Sequence, residues 1–172
     1  IARNLGASAV GIAGSAEKCR LLTENLGYRA AIDYRLGPID MRLAELMPEG
    51  IDVFFDNVGG EILDAGLAQL RRHARVVLCG AISQYINGVE RPYALRNAFA
   101  IFKKMARMEA FFIYELDAHF ERAEAQLAEW IGAGRLHYQE DILDGLEQMP
   151  TALIRLYEGR NVGKQLVRVS NG

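Results

Sequence analysis

The chain has 172 residues, 51% of them apolar, with 20 basic and 22 acidic side chains and a formal charge of −2. That much apolar matter supports one sizeable core and argues against disorder, while the mixed charges offer no basic field for nucleic acid or anionic lipid, so neither partner is expected. Cys19 and Cys79 lie far apart with no C-x-x-C or Cys/His cluster, which argues against a zinc site or a disulfide framework and fits a reducing cytoplasm. No apolar run approaches the roughly 20 residues of a membrane span.

Residues 1–6 read like the last turns of a helix ended by a C′ glycine, so further chain is expected to precede them. Residues 8–13 read as a strand. Ser15 is a good N-cap for the helix that follows, Leu21, Leu22 and Leu26 give it one apolar face, and Gly27 stops it. A strand at 30–34, a helix near 39–47 closed by Pro48, and a short apolar strand at 51–55 come next. That strand halts at Asp56-Asn57, turns through Gly59-Gly60 and hands the chain to a helix starting near Glu61, with Ile62, Leu63, Leu67 and Leu70 on one face. Arg71-Arg72-His73 leads into a strand at 75–79.

Residues 80–96 form a longer polar and aromatic loop, 97–104 a helix, 108–113 another apolar strand, and 118–131 an amphipathic helix whose buried stripe is Phe120, Ala123, Leu127 and Trp130. From Arg135 onward the texture changes to an edge strand at 137–142, a helix at 150–158 with Pro at its first position, and a last strand at 165–169. Alternating strands and helices without a fixed repeat define an α/β fold with a doubly wound, Rossmann-type parallel sheet over residues 1–134. Residues 135–172 form a C-terminal α+β appendage.

In open parallel sheets ligands lie beyond the carboxyl ends of the strands. Asn57 and Gly59 therefore either border a ligand crevice or form an ordinary βα turn. No G-x-G-x-x-G occurs; the nearest pattern, Gly11-Ile-Ala-Gly14, has its first glycine inside an apolar run. The strand at 8–13 ends without a carboxylate that would hold a ribose diol and repel a 2′-phosphate. Ser15 and Lys18 offer hydroxyl, amide and positive charge there instead, which favours NADP over NAD; a cap and a solvated lysine would explain the same residues. Tyr34 and Arg35 could flank an adenine and its phosphate, or form a solvated turn. Cys79-Gly80-Ala81-Ile82-Ser83 lets backbone approach a ligand closely, with Cys79 read as a buried apolar filler rather than a nucleophile. His73, His119 and His137 have no metal-ligand spacing. Tyr85 and Tyr114 follow strand ends and could present a phenol to a substrate oxygen, or simply pack.

Five blocks, Ala13-Gly-Ser-Ala-Glu-Lys18, Phe55-Asp-Asn-Val-Gly-Gly-Glu61, Cys79-Gly-Ala-Ile-Ser83, Arg107-Met-Glu-Ala-Phe111 and Asn161-Val-Gly-Lys164, together resemble the zinc-independent medium-chain dehydrogenase/reductases. The resemblance is to their leukotriene hydroxydehydrogenase, prostaglandin reductase and alkenal double-bond reductase branch. It implies NADP(H) as cofactor, with Lys18 at the 2′-phosphate beside Ser15, and further contacts from Tyr34, Asn57, the run Cys79, Gly80, Ala81, Ile82, Ser83, Gln84 and Tyr85, then Phe111, Phe112, Ile113 and Asn161. Arg35 stands where the family often has Lys.

The implied reaction passes hydride to the β-carbon of an enal or enone, with the developing enolate needing hydrogen-bond donors; Tyr85 is the local candidate donor. The resemblance also implies a homodimer paired through the sheet edge near 108–113. Against the family pattern the chain lacks the first Rossmann strand, the glycine-rich loop and the barrel-type substrate domain, to which residues 135–172 would return. The 172-residue polypeptide alone is therefore expected to be inactive and to bind NADPH poorly. A quinone reductase of the same superfamily and a non-catalytic NADP-binding or assembly module are the rival readings.

Overall fold

A computed structural model describes residues 1–85 and 90–169. The chain divides into two compact units, residues 1–35 with 124–172, and residues 36–123. Every paired strand in either unit runs parallel to its neighbour.

In the first unit a short 3-10 turn at Arg3–Leu5 ends on Gly6, whose φ of 82° is the left-handed stop expected there. Strand β1, Val10–Ala13, pairs with β2, Ala30–Asp33. Between them runs α1, Ala16–Arg20, capped by the Ser15 hydroxyl oxygen, which accepts the Lys18 N–H at 3.2 Å. The helix widens into a π-type turn at Leu21–Asn25, and Gly27 at φ 71° releases the chain toward β2. Gly11 is closely packed: a Cβ on it would lie 2.6 Å from Leu22 Cδ1, and that side chain would have to move aside. Farther along, β6 (Glu140–Asp144), a helix at Met149–Tyr157 and β7 (Lys164–Arg168) make a second parallel βαβ unit. The residues from Arg135 thus pair with one another instead of adding an edge to the main ladders.

The second unit holds most of the core. Its ladder runs β3 (Ile51–Asp56), β4 (Leu70–Leu78), β5 (Arg107–Ala110) in that spatial order. Helix α2, Ile39–Leu46, and helix α3, Gly60–Ala68, pack together, and Ile51, Phe54, Leu63, Leu67, Leu70 and Val76 are buried among them. Among the described residues β1 has β2 as its partner and β3 has β4, so each keeps an unpaired edge.

Four expectations change. Strand β4 begins at Leu70, which is buried and pairs with Ile51, and the stretch to Arg75 bulges through His73 at φ 64°. Strand β5 is shorter than 108–113 and exposed along its length, because as an edge strand it has a neighbour on one side only. In α6, Phe120–Gly132, Trp130 is buried but Phe120 and Ala123 are exposed. Periodicity records which face a helix would bury; it does not record whether the covering layer is present in the chain. Of the loop expected at 80–96, a one-turn helix α4 occupies Ile82–Tyr85, and 86–89 lie outside the described residues; helix α5 follows at Phe99–Lys103, and the helix already noted at Met149–Tyr157 is α7.

Candidate functional site

In the second unit the chain leaves β3, β4 and β5 at adjacent carboxyl ends. Asp56 closes β3 and is 2% exposed; its carboxylate accepts the N–H groups of Val58 at 3.2 Å and Gly59 at 2.8 Å. This sharp turn is what lets α3 start at once on Gly59 and Gly60, both at positive φ. Burial pushes the Asp56 carboxyl up from its ordinary value, while the Gly59 and Val58 N–H groups pull it back.

The turn after β4 then lays its own N–H groups on the turn after β3. Cys79 and Gly80 donate to the Asp56 carbonyl at 2.8 and 3.3 Å, Ile82 donates to the Asn57 carbonyl at 3.1 Å, and Ser83 donates to the Val58 carbonyl through both its N–H at 3.1 Å and its hydroxyl at 2.6 Å. Two blocks separated by some twenty residues of sequence become one platform. Gly80 fits it closely: a Cβ there would lie 3.1 Å from the Tyr85 hydroxyl and 3.3 Å from the Asn57 carbonyl. Tyr85 folds back so that its hydroxyl oxygen accepts the Ala81 N–H at 3.0 Å, which leaves its own proton to donate. Beyond β5, Phe111 donates its N–H to the Leu78 carbonyl and packs its ring 6.4 Å from that of Phe55, while Phe112 and Ile113 are exposed.

In the first unit the neighbouring ends are those of β1 and β2. The Tyr34 N–H donates to the Ala13 carbonyl at 3.0 Å, and its ring covers Gly14, where a Cβ would lie 2.8 Å from the ring and hydroxyl. Lys18 reaches the turn after α7, donating from Nζ to the Gly159 carbonyl at 2.5 Å. Arg35 comes to the same turn and also lies against the Tyr34 ring, 5.7 Å from its centroid. Desolvation first, then the Arg35 charge, lowers the Lys18 pKa, with Glu17 opposing them. Asn161, two residues beyond Gly159, turns its amide inward and donates to the Gly163 carbonyl at 2.8 Å.

Each unit therefore gathers its own subset of the expected residues: Ser15, Lys18, Tyr34 and the Asn161 turn in one, Asn57, Cys79–Tyr85 and Phe111–Ile113 in the other. Cys79 is exposed, not a buried filler, because β4 ends at Leu78 and Cys79 already belongs to the turn. Among the described residues no group of three or more His, Cys, Asp or Glu side chains could hold a metal ion.

Sequence reasoning passed over three carboxylates. Asp56 shapes the β3 turn, and its signal was an Asx residue three ahead of a glycine pair. Asp64 lies on the apolar face of α3, a carboxylate one position past Leu63 and three before Leu67, where burial was to be expected. Asp141 accepts from Arg155 at 2.7 Å and from the Val162 N–H at 3.0 Å, and so braces the Asn161 turn; nothing local in the sequence marks it.

Parallel strands whose carboxyl ends carry glycine turns in one unit, and an aromatic ring with two cations in the other, define an α/β domain built for a nucleotide cofactor. The zinc-binding dehydrogenase family matches residues 1–132, and the chain belongs to that family. It is 39% identical over 170 residues to the NADP(+)-dependent 2-alkenal reductase of Nicotiana tabacum, covering 98% of this chain and 49% of the relative. It is 37% identical over 171 residues to the NADPH-dependent curcumin reductase of Escherichia coli, covering 96% and 49%. The crystal structure of CurA from Vibrio vulnificus in complex with NADPH superposes with a TM-score of 0.91 at 34% identity, over 99% of this chain and 52% of that one. The chain thus spans about half the length of the proteins it matches.

Proposed function

We propose that, in the complete protein, this chain is the NADPH-holding part of a zinc-independent reductase that saturates carbon–carbon double bonds conjugated to a carbonyl. The observation that carries this reading is the pair of cations, Lys18 and Arg35, brought to one turn at the ends of β1 and β2, where a ribose-binding carboxylate would stand in an NAD site. Lys18 holds the 2′-phosphate, Ser15 caps the helix that presents it, and Tyr34 lies along the adenine. In the second unit Asn57, the backbone from Cys79 to Ser83 and the segment Phe111–Ile113 are the residues the family resemblance gives to the rest of the cofactor. The bound cofactor supplies the hydride.

The chain's contribution to chemistry lies in Tyr85. Its hydroxyl oxygen accepts the Ala81 N–H, which leaves the phenolic proton to donate to a developing enolate oxygen. The protein acts on small enals or enones in the cytoplasm, and pairs as a homodimer through β5, an exposed edge strand. Residues 135–172 return to the substrate domain.

The deciding experiment assays the full-length reductase with NADPH and NADH on an enal and on a quinone. Preference for NADPH with the enal is the expected result; equal use of the two cofactors would remove the role of Lys18, and preference for the quinone would replace the substrate class. Tyr85→Phe is expected to slow turnover by about tenfold to a hundredfold with KM for NADPH held. Unchanged turnover would take Tyr85 out of the mechanism.

A further inference from the structure

Helix α3 carries a buried carboxylate that nothing in the proposed reaction uses. Asp64 is 4% exposed between Leu63 and Ala65, and a charge in such surroundings is costly unless its lone pairs are taken up. They are taken up by a single segment. One carboxylate oxygen accepts the Asn97 N–H at 2.8 Å; the other accepts the Tyr93 hydroxyl at 3.3 Å and lies 3.7 Å from Arg96 Nε. The Asp64 carbonyl accepts the Asn97 side-chain amide at 3.1 Å, and Arg96 donates to the Tyr93 hydroxyl at 2.8 Å.

From Tyr93 the connection returns to the turn after β4. The Tyr93 N–H donates to Gln84 Oε1 at 2.9 Å, Gln84 Nε2 donates to the Ser83 hydroxyl at 3.1 Å, and that hydroxyl donates to the Val58 carbonyl. The circuit starts on α3 and closes on the turn that begins α3. We propose that Asp64 is a positioning residue that fixes the Ile82–Tyr85 turn, and with it the Tyr85 hydroxyl, by anchoring the segment at 93–97 against which Gln84 is held. This rests on the reading of 79–85 as part of the cofactor site.

The test uses the full-length protein with Asp64→Ala, Asp64→Asn and Tyr93→Phe, and reads hydrogen exchange without cofactor alongside affinity. In Asp64→Ala the amides of Ile82 and Ser83 are expected to exchange about tenfold faster, the scale of roughly one lost hydrogen bond, while amides of β3 and β4 keep their rates. NADPH should bind about tenfold more weakly, and a 2′-phosphoadenosine fragment as before. Asp64→Asn, which keeps an acceptor for the Asn97 N–H, should restore part of both. Unchanged exchange at Ile82 and Ser83, or equal acceleration throughout β3 and β4, would overturn the assignment. Tyr93→Phe changes a half-buried side chain; it is expected to shift the same two amides by about two- to fivefold and decides the matter if Asp64→Ala does not fold. A wild-type protein that fails to bind NADPH would sink the cofactor reading, while the exchange arm would still judge Asp64.

Discussion

The two clusters of strand ends are held in different ways. After β3 and β4 the turns bind each other through five hydrogen bonds whose acceptors are all backbone carbonyls, and four of the five donors are backbone N–H groups. After β1 and β2 the shape depends on individual side chains: Ser15 under a helix, Tyr34 over a glycine, Lys18 on the Gly159 carbonyl. A site drawn by main chain survives many substitutions but fails when the backbone is pushed. One drawn by side chains keeps its fold when they change and loses its selectivity.

The largest effect should come from pushing the backbone-built cluster. Gly66 lies where α3 meets β3, and a Cβ there would fall 2.6 to 2.8 Å from ring atoms of Phe54, itself buried. For the Cβ to fit, the buried Phe54 ring or the helix has to shift. Gly66→Ala is therefore expected to cost about 2 to 3 kcal/mol, measured by urea unfolding of the full-length protein. A cost below about 0.5 kcal/mol would mean that Phe54 repacks freely and that the platform is softer than its hydrogen bonds imply.

The charge-built cluster should answer the opposite way. Lys18→Gln is expected to leave unfolding within about 0.5 kcal/mol, yet to weaken NADPH binding by roughly tenfold to a hundredfold with NADH changed less than about twofold. Because desolvation and Arg35 lower the Lys18 pKa, its charge is lost at a lower pH than for an ordinary lysine at 10.5. NADPH affinity should thus fall on the alkaline side before an exposed lysine would titrate, and the Gln variant should lack that limb. Equal losses for the two cofactors would show that Lys18 serves the fold and not the phosphate.

Ser83→Ala comes next in size. It removes the hydroxyl that links Val58 to Gln84 but leaves the Ser83 N–H on the same carbonyl, so about 1 kcal/mol or less of stability should be lost. A larger loss would mean that the side chain, and not the backbone, holds the two turns together.

This contrast also governs what could be read from sequence. The Ser15 cap, the Gly6 and Gly27 stops and the strands at 10–13, 30–33 and 51–56 are local devices, and each stands within a residue or two of its expected place. The β3 turn was legible for the same reason, since a glycine pair after a buried strand admits few conformations. What escaped was long-range. The bracing of the Asn161 turn by Asp141 and the anchoring of residues 93–97 by Asp64 join positions 21 to 33 residues apart, and no periodicity encodes such a pairing. The apolar stripe of α6 failed for a related reason, because a face needs a partner before it is buried.

The smallest effect tests whether burial or hydrogen bonding rules at the β3 turn. Burial is the larger influence on Asp56 and raises its pKa above the ordinary 3.8, against the pull of the Gly59 and Val58 N–H groups. A carboxyl that binds its proton more readily folded than unfolded favours the folded state as pH falls from above its folded pKa toward 3.8; the ionised form is the costly one, at higher pH. Asp56→Asn keeps an oxygen acceptor for the turn but has no charge to neutralise. Between neutral pH and about pH 4 the wild-type protein should therefore lose stability less steeply than the variant, a difference read from paired urea titrations. The reverse slope would show that the two backbone donors outweigh burial, and that the ionised Asp56 is itself a fastening of the turn that carries Asn57.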